Sequence, residues 1–308
     1  MNRKTLIKKR RERANRQLSL LMSLILLMAF GSLLTLYFWS RPQEKSIKHL
    51  QQNQTKTTLN SSDSLQDIPV SADDELDWEK QDQPVQVPIL MYHAIHIMDP
   101  AEAPNANLIV APDVFESHLK ALTEAGYYSL TPEEAYKVLT ENVLPKGKKV
   151  VWLTFDDSLW DFYEIAYPIL KKYQIKATNN VIIGTLGHHG HLSIEQLLEM
   201  KGNGMSFQAH TVNHPDLAIS TIERQQHELV ESKAYLDSFL EQDTISLAYP
   251  AGKYSPDTLA IAEAAGYKMA TTTNPGLASL DNGMLTLNRV RIMPTTTAES
   301  LLHELYID

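Results

Sequence analysis

The chain has 308 residues, a formal net charge of −9 and no cysteine. That length holds one good-sized domain with accessory sequence, or two small domains. Without cysteine a lipid-anchored lipoprotein is excluded, and any folded part must hold together by core packing alone. The charge is uneven: the first 16 residues carry a net +7 and the other 292 a net −16. An acidic body of this kind excludes nucleic acid as a partner, because phosphate contacts need clustered Lys and Arg.

From Leu18 to Trp39 run 22 uncharged residues, rich in Leu, Met, Ile and Phe. As a helix rising ~1.5 Å per residue this run reaches about 33 Å, enough to cross a bilayer core of about 30 Å. Eight basic residues precede it, from Arg3 to Arg16, opposed only by Glu12. The excess places residues 1–17 in the cytoplasm and sends the rest of the chain outward. The expectation is therefore a single-pass signal anchor over 18–39 with an extracellular body. A cleavable signal peptide fits less well, since the apolar run is long and lacks an A-x-A-like end. Residues 40–86 are Gln, Asn, Ser, Thr, Asp and Glu with scattered single apolars, which predicts a flexible polar stalk.

At Val87 the texture changes. Short apolar runs predict strands over 87–93, 148–155, 176–184, 205–209, 245–249, 267–271 and 285–292. Helical spacing appears over 112–125, 132–140, 162–173, 193–200, 222–240 and 256–265, and again from Ala298. Ser193 is a candidate N-cap and Gly126 and Gly266 are candidate C-caps. Strands alternating with helices every 25–35 residues predict an α/β fold of mostly parallel β/α units over 87–308, closing as a complete or incomplete barrel. The reactive groups of such a fold lie at the carboxyl ends of its strands.

Polar clusters stand at those ends. TFDDS (154–158) ends one predicted strand with Asp156 and Asp157, AHTVNHP (209–215) ends another with His210 and His214, and AYPAGKY (248–254) ends a third. The first strand ends on His93. One carboxylate and two imidazoles make a three-ligand set with positions left open, suited to zinc or to cobalt or nickel. Such an ion lowers the pKa of bound water and polarises a carbonyl, leaving the second carboxylate free as a general base. Taken alone, an Asp-Asp pair more often caps a helix, and two histidines before a proline more often form a surface turn.

The set TFDD, HTVNHP and the Pro-Ala-Gly turn resembles the NodB-type polysaccharide deacetylases, carbohydrate esterase family 4, across roughly 87–291. The resemblance implies a distorted (β/α) barrel that removes N-acetyl, or sometimes O-acetyl, groups from sugars. It assigns Asp156 as general base, Asp157, His210 and His214 as metal ligands, and the Ala251 N–H as oxyanion donor. Ser158 stands where the family has glycine, a small change if the backbone there stays out of the left-handed region. The family's bracing arginine is missing from Ala248-Tyr249-Pro250-Ala251-Gly252, and Arg289 or Arg291 could replace it. LMYH (90–93) resembles the branch acting on exported poly-N-acetylglucosamine, which favours His93 over His303 as general acid.

Tyr249, Tyr254 and Trp160 could stack on sugar rings or serve the core, and Pro250 supports the turn. His118 and His227 read as surface residues, and GHHGH (187–191) as a solvated loop rather than a second metal site. The implied partner is an N-acetylated glycan of the cell envelope: peptidoglycan, a wall-linked polysaccharide or its linkage unit, or poly-N-acetylglucosamine. The alternative is a tethered glycan-binding module that has lost its chemistry, which the missing arginine favours.

Overall fold

The structure is a computed structural model and describes residues 76–305. The expected span over 18–39 and the stalk as far as residue 75 lie outside the described residues. Among the described residues, no helix is long and apolar enough to cross a membrane.

Seven parallel strands form the core: β1 (Ile89–Tyr92), β2 (Lys149–Phe155), β3 (Thr178–Val181), β4 (Ser206–Ala209), β5 (Ser246–Ala248), β6 (Met269–Pro275) and β7 (Leu287–Arg291). Each pairs with the next in sequence, and β7 returns to β1 with Val290 opposite Leu90. The sheet is thus a closed barrel, and closure removes the unpaired edges an open sheet would expose. The lower half of β2 pairs instead with a flanking strand, Tyr127–Ser129.

Side chains alternate along β2. Val151, Leu153 and Phe155 join the apolar layer beneath the helices, together with Leu90 and Tyr92 of β1. Val150 and Trp152 join a second cluster with Ile89, Met269 and Leu287 that fills one end of the barrel. By this alternation Thr154 and Asp156 face inward above that plug.

Among the described residues, α1 (Pro112–Glu124), α3 (Tyr167–Lys172), α4 (Ile194–Gly202), α5 (Ile222–Leu240) and α6 (Pro256–Ala264) follow barrel strands, and α2 (Pro132–Glu141) follows the flanking strand Tyr127–Ser129. The last of these helices, α7 (Ala298–Glu304), follows β7 and packs on α1. Apolar spacing sets their buried faces, as with Phe115, Leu119 and Leu122 on α1. Reciprocal caps start α2 at Thr131, α4 at Ser193 and α6 at Ser255.

Three local expectations need correcting. The stretch over 162–173 is not one α-helix but a π-type turn (Phe162–Ala166) leading into α3. Pro168 has no N–H to offer the preceding turn, and Tyr167 donates instead to the Phe162 carbonyl. Within the segment read as stalk, Trp78–Lys80 pairs antiparallel with Val143–Pro145, and Lys137 lies 4.7 Å over the Trp78 ring. A three-residue strand among polar neighbours has too few residues to show a period. His118 is buried rather than on the surface: its Nε2 donates to the Thr296 carbonyl at 2.8 Å, and its Nδ1 lies 3.1 Å from the Tyr92 hydroxyl.

Candidate active site

The carboxyl ends of the strands bring the expected polar groups together. Asp156, just past β2, is 3% exposed and faces inward. Arg289 of β7 reaches it with a two-pronged contact, Nη2 to Oδ2 at 2.7 Å and Nη1 to Oδ1 at 2.9 Å. The guanidinium is itself held by the Thr272 carbonyl at 2.8 Å and the Thr154 hydroxyl at 3.2 Å. This is the brace absent from the 248–252 segment. Arg291 does not share it: it is exposed at the end of β7, one inward position beyond the guanidinium that meets Asp156. His93, at the end of β1, places Nε2 4.0 Å from Asp156 Oδ2.

Burial alone would raise the Asp156 pKa. Arg289, His210 and His93 together outweigh that and hold the carboxyl well below the usual carboxylate range. Burial pushes the His93 imidazole down, opposed only in part by Asp156 and Asp157.

The chain then turns sharply, with φ 77° at Asp157 and 53° at Ser158. The serine therefore does enter the left-handed region, at a cost of about 1–2 kcal/mol for a residue with a Cβ. Its buried hydroxyl offsets part of this by accepting the Ile182 N–H at 2.9 Å. It ties the turn to the end of β3 and does not cap a helix.

The turn aims Asp157 Oδ1 at His210 Nε2, 3.4 Å away, and at His214 Nε2, 3.6 Å away. One ligand atom from each of the three residues lies within 4.8 Å of the others. His210 Nδ1 is 2.7 Å from the Ala248 carbonyl, which can only accept. The Nδ1 therefore carries the proton and Nε2 presents its lone pair to the site. Two imidazole nitrogens and one carboxylate oxygen, so oriented, fit a divalent metal ion. Burial would lower the His210 pKa, but Asp157 and Asp156 raise it on balance; His214 is lowered by burial and by His210. Burial would raise Asp157, and His210 and His93 bring it down.

Two contributors carry no motif. Asn180 of β3 donates from Nδ2 to Asp156 Oδ1 at 2.7 Å, so that oxygen accepts from both an amide and a guanidinium. Glu228, on the buried face of α5, accepts the N–H groups of Val212 and Asn213 at 3.0 and 2.7 Å and the Asn213 side-chain amide at 3.0 Å. It clamps the loop between His210 and His214, where Thr211 and His214 both have positive φ. A carboxylate beside Leu229 on the helix's apolar stripe was the available signal for Glu228; Asn180 had none.

After β5, Tyr249-Pro250-Ala251-Gly252 forms a tight turn with φ 51° at Ala251 and 70° at Gly252. A Cβ on Gly252 would lie 2.2 Å from the Thr273 hydroxyl oxygen, so only glycine fits. Ala251 is exposed on this turn and Pro250 buried beneath it. Tyr249 is fully buried and stacks on Tyr254 at 5.0 Å, so it supports the turn and offers no face to a sugar. His303 is exposed on α7. In the GHHGH loop His188 and His189 are exposed. His191 Nδ1 lies 3.2 Å from the Asp157 carbonyl, and Leu192 N–H donates to the Ser158 carbonyl at 2.9 Å. The loop thus braces the Asp157–Ser158 turn.

Comparison with known proteins agrees with this geometry. The polysaccharide deacetylase family profile matches residues 144–270. YxkH of Bacillus subtilis (strain 168), named for the same family, is 43% identical over 222 residues, covering 72% of this chain and 77% of its own. The poly-beta-1,6-N-acetyl-D-glucosamine N-deacetylase of Staphylococcus aureus (strain MRSA252) is 31% identical over 53% of this chain and 60% of its own. Among solved structures, the Streptococcus pyogenes deacetylase PplD, in complex with acetate, superposes with a TM-score of 0.71 at 55% identity, covering 73% of this chain and 100% of that one. A polysaccharide deacetylase from Bacillus cereus gives 0.65 at 30% identity, covering 72% and 70%. The sequence match to YxkH and the superposition on solved deacetylases show that the chain belongs to the polysaccharide deacetylase family of NodB-like, carbohydrate esterase family 4 enzymes.

Proposed function

We propose that the protein removes N-acetyl groups from N-acetylglucosamine units of a cell-envelope polysaccharide, with its barrel outside the membrane and Leu18–Trp39 as the anchor. Candidate glycans are peptidoglycan, a wall-linked polysaccharide or its linkage unit, and exported poly-N-acetylglucosamine. The observation that carries the reading is Asp156, buried and locked by Arg289 and Asn180, 4.0 Å from His93 and adjacent in sequence to the ligand Asp157. The acidic body and outward topology support the envelope glycan, and the relatives named above support the N-acetyl chemistry.

Asp157, His210 and His214 would hold a divalent ion, with zinc, cobalt and nickel all suited to the mixed donor set. When bound, it supplies Lewis-acid polarisation of the acetyl carbonyl and a more acidic water. Asp156, ionised throughout the neutral range, accepts the proton of the attacking water. In this reading the Ala251 N–H donates to the developing oxyanion, and His93, in its imidazolium form, gives a proton to the leaving amine. The C–O bond forms first as the carbonyl π pair moves onto oxygen, and the C–N bond breaks when that oxyanion collapses, giving acetate and a free glucosamine. The loss of the bracing arginine from its usual segment favoured an inert binding module, and Arg289 removes that argument.

The test is acetate release by the full-length chain and its Asp156→Asn variant on the three candidate glycans. The wild type should release acetate, and the variant should fall by about 10²–10⁴-fold while retaining one bound metal. Equal turnover by the two proteins would sink the assignment of the base.

A further inference from the structure

Beside the proton-transfer and metal groups, two loops meet at the barrel mouth. One leaves β1 through His96, Ile97 and Met98 into a 3-10 turn, Pro100–Leu108. The other leaves β2 through Trp160 and Asp161. His96 joins them, with Nδ1 2.7 Å from Asp161 Oδ2 and Nε2 3.1 and 3.2 Å from the two oxygens of Glu102. Ionised carboxylates only accept, so both ring nitrogens carry protons and the imidazole is a cation. Asp161 is fully buried, its Oδ2 also accepts the Ile95 N–H at 2.7 Å, and its Oδ1 has no partner among the described residues. A carboxylate buried this way needs an opposite charge beside it. Burial lowers the His96 pKa, and the hydrogen bonds to Asp161 and Glu102 more than reverse that.

The indole of Trp160 lies on this imidazole, ring centres 5.8 Å apart and planes 24° from parallel. One face of the indole is thereby occupied by a cation, an attractive arrangement. Trp160 nonetheless remains 37% exposed, and Ile97 and Met98 beside it are 75% and 42% exposed. Nothing in the chemistry above uses these residues. A large aromatic ring held rigid at a mouth, four residues past the general base, loses little freedom when it binds something flat and apolar. The C–H face of a pyranose is such a surface. Glu102, 40% exposed, offers carboxylate oxygens to hydroxyl groups at the ring's edge.

We propose that Trp160, fixed by the Asp161–His96–Glu102 clip, is a glycan subsite that stacks on a sugar unit neighbouring the one being deacetylated. It rests on the proposed function only in taking an N-acetylated glycan as its ligand. The site selects for chain length: a polymer reaches it and a single sugar held at Asp156 does not.

The test is calorimetric binding to the full-length Asp156→Asn protein with and without Trp160→Ala or Trp160→Phe. The probes are pentamers of N-acetylglucosamine, one β-1,4-linked and one β-1,6-linked, and the monomer. Trp160→Ala should weaken the better pentamer about 10-fold, as the loss of one aromatic stack implies, Trp160→Phe should restore part of it, and monomer binding should not change. Unchanged pentamer affinity, an equal loss for the monomer, or no binding of either pentamer to the parent would overturn the subsite. Acetate release by the wild type is read separately. Its absence from every glycan would defeat the deacetylase reading, while Trp160-dependent pentamer binding would still uphold the subsite.

Discussion

Asp156 shows how one residue's chemistry is set by neighbours that its own motif does not contain. The adjacent carboxylates and the two histidines are legible in the sequence because TFDDS and HTVNHP lie close to predicted strand ends. The brace was narrowed only to Arg289 or Arg291. Both fall on the same alternation of β7, and only the depth reached inside the barrel separates them. Asn180 was illegible, since an Asn-Asn pair in a strand announces nothing until β3 is laid against β2. Replacing Asn180 by Leu should lower kcat about 10-fold and leave KM unchanged, because the amide fixes one carboxylate oxygen without touching substrate. Steady-state kinetics would show this, and a rise in KM alone would contradict it. Arg289→Met should be more severe, leaving Asp156 charged and buried without its partner. A loss of about 3–5 kcal/mol in urea unfolding is expected, and a loss below about 1 kcal/mol would mean that Asp156 is not the buried charge described.

At the scale of the element, left-handed turns and clamps do the positioning. Asp157, Ser158, Thr211, His214 and Ala251 all carry positive φ, and strain of this kind persists only where surrounding contacts enforce it. Helices and strands follow from apolar period, so their existence and order were legible, down to the bounds of α5. The backbone sign at Ser158 was not, because it depends on a hydrogen bond to Ile182 from another strand. Glu228→Ala would release Val212 and Asn213 and loosen the His210–His214 loop. We expect metal affinity to fall about 10–100-fold, as for other groups that orient ligands, with equilibrium dialysis as the check. Affinity equal to wild type would mean that the loop holds its shape unaided.

The His96 clip gives a pH dependence of definite sign. Both His96 and Asp161 have pKa values raised above their ordinary values, Asp161 by burial and His96 by its two carboxylates against the burial that lowers it. The folded state therefore holds more protons than the unfolded chain, so stability falls as pH rises. The His96 contribution is fully present below its ordinary value of 6.5 and is lost as pH climbs through the raised value. Urea unfolding of wild type and His96→Asn should differ most at pH 6 and converge toward pH 9 (on the order of the ordinary imidazole range and above). A constant difference would contradict the clip.

At the largest scale, the described residues form a seven-strand barrel whose strands close in chain order, with its reactive groups at one end. Alternation of strands and helices made the parallel barrel legible but left open whether it closes completely, since that requires β7 to meet β1 across the length of the domain. Trp78–Lys80 was missed for a related reason: its partner, Val143–Pro145, is more than sixty residues away. Stability of the whole should depend on the metal. Asp157, His210 and His214 converge only when β2, β4 and their loops are in place, so an ion held there would favour the folded state by mass action. Chelation should lower Tm by several degrees, of order 2–4 °C per kcal/mol for a domain of this size, and an unchanged Tm would show that the set does not hold an ion tightly.

The most direct measurement is acetate release by metal-stripped full-length protein as zinc, cobalt or nickel is added back in steps, on the glycan the wild type prefers. The account predicts no release from the stripped protein and recovery that is complete at one ion per chain. It further predicts that Asp157→Ala and His210→Ala proteins fail to recover at any ion concentration. Full release without metal, or full recovery in either variant, would contradict the site at its centre.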